Sequence, residues 1–150
     1  MKRITLAGGV ITLLAALTLA SAEAAGPALQ LSAKLKGTNV PEGGDANGKG
    51  EIFLAAKKRK RKACFELTFR KIESPEKGQI REGGRGETGP LAVRLFRDPS
   101  GLPGRSVEGC VTAKRKTLRK LAREPEGYYV NVANDDYLDG AIRGQLKPAL

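Results

Sequence analysis

Apolar and polar residues alternate along most of the chain beyond residue 28, the period of strands that turn one face to a core. Leu29, Leu31, Ala33 and Leu35 fall on one face, with Gln30, Ser32, Lys34 and Lys36 on the other. A turn-rich loop from Val40 to Gly48 follows, then a second strand near Gly50 to Lys57. In the third strand Phe65, Leu67 and Phe69 point one way, and Cys64, Glu66, Thr68 and Arg70 the other. Residues 73–90, rich in glycine with Pro75, read as a loop and its 83–89 stretch as a flexible connection. Alternation returns in Leu91 to Phe96, and residues 107–112 suit a short strand carrying Cys110. From Ala113 to Arg123 the period becomes helical, with Leu118, Leu121 and Ala122 on one side and Pro125 as a stop. Tyr128 to Val132 and Ala141 to Leu146 close the domain around a polar turn. About seven short strands between turn signals predict an all-β, two-sheet sandwich or barrel with one short helix.

The first residues follow a different rule. Lys2 and Arg3 precede an apolar run from Ile4 to Ala20, and small residues follow at Ala20, Ala22 and Ala24. This is the pattern of a secretory signal over residues 1–24, with the folded domain over 29–147. Processing after Ala24 removes Lys2, Arg3 and Glu23 and takes the net charge from +11 to +10. The mature chain is then expected outside the cell or in its envelope, with no membrane span. In an oxidising compartment its two cysteines, Cys64 and Cys110, are expected to form a disulfide.

The run Tyr128-Tyr129-Val130-Asn131-Val132, followed by Gly140-Ala141-Ile142-Arg143-Gly144-Gln145-Leu146, resembles the signature of the CHRD (chordin-type) domain. Leu31-Ser32-Ala33-Lys34-Leu35-Lys36-Gly37 with Val40-Pro41 is similar to the start of that family. Asp45 with Gly48 and Gly50, Cys64 with Leu67, and Gly83, Gly86, Gly89 and Pro90 agree with it in order. Gly109-Cys110-Val111-Thr112 and the helix ending at Pro125 resemble bacterial members, which are exported. The resemblance implies an immunoglobulin-like sandwich, comparable with copper–zinc superoxide dismutase, and a binding or structural role. One departure stands out. Family members usually carry His-Ile-His in the middle loop and a further His after the Asn-Val of the penultimate strand. Here those places hold Gln79-Ile80-Arg81 and Ala133, and the chain has no histidine.

Without histidine the commonest metal ligand and neutral-pH base are missing. Two cysteines in a disulfide supply no zinc or copper site, so no metal, cofactor or catalytic residue is expected. Asp45-Ala46-Asn47-Gly48-Lys49-Gly50 begins like a calcium loop, but Lys49 stands at a ligand position and Ala56 where the bidentate Glu belongs; a turn is expected. Asp135, Asp136 and Asp139 read as an ordinary polar turn.

The clearest feature outside the resemblance is basic. Lys57, Lys58, Arg59, Lys60, Arg61 and Lys62 are consecutive and suit a hairpin tip, and Lys114, Arg115, Lys116, Arg119 and Lys120 form a second cluster. No aromatic interrupts them, so base stacking is not expected. Binding to anionic polymers, such as wall polymers or extracellular DNA, would be phosphate-directed and salt-sensitive. The chain is thus expected to be a secreted, non-enzymatic module that holds such a polymer or a secreted protein. The alternative is a carboxylate-dependent extracellular hydrolase, which requires two acids facing one another in a cleft.

Overall fold

The computed structural model describes residues 28–99 and 105–149. The expected leader lies outside the described residues. The strands are β1 (Leu29–Lys36), β2 (Lys49–Lys57), β3 (Lys62–Arg70), β4 (Lys77–Glu82), β5 (Leu91–Arg97), β6 (Ser106–Thr112), β7 (Tyr128–Ala133), β8 (Ile142–Gln145) and β9 (Lys147–Pro148). A single α-helix, α1 (Arg115–Arg123), lies between β6 and β7 among the described residues.

All described pairings are antiparallel, and the strands follow one hydrogen-bonded path, β5-β4-β7-β8-β1-β2-β3-β6, with β9 added beside β1. The path folds back on itself where β8 meets β1 through a single register pair, Lys36 opposite Arg143. Its two ends, β5 and β6, approach each other, so the sheet nearly closes into a barrel-like sandwich. The all-β sandwich with one short helix expected from alternation is the observed class.

Period-two patterning explains the core. Leu31, Ala33 and Leu35 of β1, Ile52 and Leu54 of β2, and Phe65 and Leu67 of β3 pack into one cluster with Ile80, Val93, Val130, Val132 and Ile142 from the other half. Leu118 and Leu121, on the buried side of α1, join the same cluster. Each fully buried Leu, Ile or Val contributes about 1.5–3 kcal/mol relative to exposure, and Phe65, Phe69 and Tyr128 add aromatic bulk to the same cluster.

Two expectations need correction. Residues 77–82, expected to be loop, form β4, a strand paired on both sides by β5 and β7. Its one large apolar residue is Ile80; the adjacent core position is Gly78, left without a side chain because the Phe96 ring lies where a Cβ would stand. Gln79 and Arg81 are therefore strand residues on the face away from the core. Every residue of β7 is buried, not alternate ones: on its outward face the 83–89 loop meets Tyr129 and the turn at Asp139 and Gly140 meets Asn131.

Candidate functional site

The two basic runs meet in space. The β2–β3 hairpin turns at Lys58–Arg61 with Lys57 paired to Lys62, so the hexad forms the expected projecting tip. Arg61, at φ +52°, turns its carbonyl to accept from the Ala113 N–H at 2.9 Å. Lys62 also pairs with Thr112 at the end of β6. This fastening sets Lys114, Arg115 and Lys116, the start of α1, beside the tip. The first turn of α1 contains no acidic residue and its Lys114 cap makes no side-chain bond. Cations thus gather at the positive end of a helix dipole, where carboxylates are normally favoured. Arg119 is exposed one turn on, whereas Lys120 is drawn aside to Glu82 at 3.7 Å.

Cys64 and Cys110 are directly opposed on β3 and β6 and joined by a disulfide. The bond staples the edge strand β6 to the interior of its half.

The closing heptapeptide from Gly140 to Leu146 works as a clamp. Ala141, Ile142 and Leu146 are buried without exposure, anchoring β8 to the core. Gly140 has φ +145° and lies so close to the Asn131 amide that a side chain would collide with it. Gly144 lets β8 cross against the Lys34 carbonyl of β1, a space no Cβ could share. Arg143 and Gln145 point the other way, to the outer face. The Arg143 guanidinium lies 3.4 Å from the centre of the Tyr129 ring. Its Nη2 donates to the Gly84 carbonyl at 2.9 Å and to the Glu87 carbonyl at 2.6 Å. Gln145 Nε2 donates to the carbonyls of Gly83 at 2.7 Å and Glu126 at 2.6 Å. Tyr129 Oη accepts from the Gly89 N–H at 3.3 Å. The 83–89 stretch, expected to be a flexible connection, is fastened along its length.

Beneath this loop lies a cavity of ≈ 220 Å³. Its floor follows the register of the sheet. Arg97, Lys77 and Ala133 form one rung, Gln79, Asn131 and Arg143 the next, and Arg81 with Tyr129 the third. Glu42, Thr88, Leu138 and Asp139 complete the lining. Thr88 donates to Glu42 Oε1 at 2.8 Å. That hydrogen bond, with the Arg143 and Arg81 charges as lesser causes, holds the Glu42 carboxyl below its ordinary pKa. Burial draws Arg143 below its ordinary value, opposed by Tyr129, Glu42 and Glu87.

Comparison with known proteins agrees with the clamp. A family model described as the CHRD domain matches residues 31–146, from β1 to the last residue of the closing motif. The chain belongs to the CHRD-domain family. No curated protein and no solved structure matches it.

In this CHRD domain the three places that usually hold family histidines converge. Gln79, Arg81 and Ala133 all line the cavity under the loop, although they come from β4 and the end of β7. Convergence of this kind is invisible in sequence, where residues 79 and 133 lie far apart. Acids gather elsewhere too. Asp45, Glu73 and Asp136 border an open cleft, and Glu66 faces Glu108 across β3 and β6. A general acid needs a raised pKa, and Glu42 is shifted the other way. Glu76 is raised, chiefly by desolvation and then by Asp135 and Asp98, but its neighbour Asp135 sits exposed on a turn. Asp45 makes the turn expected of it, accepting the Asn47 N–H at its side chain and the Gly48 N–H at its carbonyl.

One cationic group escaped the sequence reading. Lys36 of β1 is opposite Lys49 of β2, which is opposite Arg70 of β3, and a cleft on that face adds Lys34 and Arg105. Lateral register, set by hairpins, brings these together. The sequence signal available was a lone basic residue at the end of each strand.

Proposed function

We propose that this CHRD-domain protein is an exported, non-enzymatic binding module that holds anionic polymers, such as wall polymers or extracellular DNA, by its cationic end. The observation that carries this reading is the Ala113–Arg61 hydrogen bond, which unites Lys57–Lys62 with Lys114–Lys116 and the open N-terminus of α1. Like charges collected at the positive end of a helix destabilise the free protein, and a bound polyanion relieves that repulsion. The disulfide supports an oxidising location, and among the described residues no helix is long and apolar enough to cross a membrane.

The Lys36–Lys49–Arg70 row lies at the far end of β2 from the tip, about 26 Å away at 3.3 Å per residue. Phe53, Ala55, Cys64 and Glu66 occupy the surface between. A polymer long enough to span that distance can engage both groups, whereas a short one engages the tip.

Titration of the mature protein with heparin or duplex DNA at rising salt tests the reading. A variant with residues 57–62 neutralised is expected to bind more weakly, with a shallower logarithmic salt slope, since the slope counts phosphates neutralised. Equal affinity and equal slope for both proteins would end the proposal.

A further inference from the structure

We infer that the cavity beneath the 83–90 loop is a binding site for a small oxyanion, a phosphate, sulfate or carboxylate group, separate from the polymer-binding end. The cavity measures ≈ 220 Å³ and opens to solvent past the exposed Glu42, Thr88, Leu138 and Asp139. That admits a group of phosphate size.

Charge decides its sign. Four cations, Lys77, Arg81, Arg97 and Arg143, line the cavity against two acids, Glu42 and Asp139. Among the described residues the one ion pair within 4.0 Å is Lys120–Glu82, so none of the four has a carboxylate at that range. Lys77 and Arg97 are directly opposed across β4 and β5, a like-charge pair that costs stability when no counter-charge lies between them. Arg143 is 3 % exposed, and a buried charge requires compensation. Its present partners are two backbone carbonyls and an aromatic ring.

Geometry makes the site ready. Arg81 donates Nε to the Gly89 carbonyl at 2.8 Å and Nη1 to Gln79 Oε1 at 3.0 Å. Those bonds fix the guanidinium plane and leave Nη2 without a protein acceptor among the described residues. A guanidinium held in this way presents its remaining donors to an oxyanion with little further loss of entropy. Asn131, 8 % exposed, holds the opposite wall by donating to the Asp139 carbonyl at 2.8 Å. Ala133 leaves the rung between Lys77 and the turn open, where a longer side chain would fill the floor. The loop clamp and the site are one construction: Arg143 and Arg81 each secure the roof and line the space beneath.

Isothermal titration of the mature protein with inorganic phosphate, sulfate and acetate, against chloride at equal ionic strength, tests the inference. Saturable one-to-one binding is expected; phosphate and sulfate binding without acetate assigns a tetrahedral group, and acetate binding assigns a carboxylate. Lys77→Gln with Arg97→Gln is expected to weaken the affinity about tenfold. The single exposed change Arg97→Gln gives the same direction if the double variant folds poorly. Glu42→Gln, which keeps an acceptor for Thr88, is expected to tighten binding by removing the opposing charge. Neutralising residues 57–62 should leave phosphate affinity unchanged while heparin affinity falls, which separates this site from the polymer reading. Absence of saturable binding by all three ions, or unaltered affinity in the Lys77/Arg97 variants, would overturn the assignment.

Discussion

Replacing Arg143 by Ala removes the centre of the loop clamp, and the loss can be worked from its contacts. Two hydrogen bonds from a charged donor, to Gly84 and Glu87, are each worth about 1.5–3 kcal/mol. The Tyr129 stack adds about 1 kcal/mol. Against these, removing a buried charge recovers part of its desolvation cost, and water can reach the freed carbonyls at the rim of the loop. The expected net loss is about 3 kcal/mol, large beside the 5–15 kcal/mol of a whole domain. Urea unfolding followed by circular dichroism measures it as a lower midpoint at unchanged slope. Amide exchange in residues 83–89 should accelerate before the strands open. Arg143→Lys keeps the charge but not the planar fork and should recover less than half of the loss. A cost under about 1 kcal/mol for Arg143→Ala, or full recovery by Lys, would show that the loop is held by other means.

Replacing both Cys64 and Cys110 by Ser opens a 46-residue loop and should cost about 4 kcal/mol in the chain-entropy treatment, read as a denaturation midpoint. Gly144→Ala forces a Cβ against the Lys34 carbonyl where β8 crosses β1, and should cost about 3 kcal/mol in thermal unfolding; a neutral result would contradict the close approach. Desolvation, then the Glu82 charge, raises the Tyr128 hydroxyl above the ordinary tyrosine value near 10. The folded state therefore keeps that proton longer than the unfolded chain, so the contribution is intact below pH 10 and fades as pH climbs through the folded value. Unfolding curves recorded from pH 9 to 11.5 should fall less steeply for Tyr128→Phe than for the native protein.

What the residues disclosed depended on how local the information was. Alternation in β1, β2, β3 and β5 marks buried faces directly, because each strand carries three or more apolar residues at period two. β4 hides because Gly78 and Ile80 are its whole inward face, one of them emptied by the Phe96 ring. The hexad tip was legible, since six consecutive cations cannot all face one side of a strand. Its junction with α1 was not, because it rests on a single backbone bond between residues 61 and 113. The cavity was hidden for the same reason: Lys77, Arg81, Arg97 and Arg143 come from three strands and become neighbours only through register. The closing motif was visible as family text, yet its physical task, holding a roof with Arg143 and Gln145, needed coordinates.

The order of strands has a consequence for how the domain is made. β1, the earliest described strand, lies between β2 on one side and β8 and β9 on the other, and both of these come from the last tenth of the chain. A nascent polypeptide lacking residues 142–148 can zip β1, β2 and β3 as a meander but cannot seal the seam to β7. Closure across so long a stretch of sequence is intrinsically slow. Such a chain stays open until residues 142–148 are available.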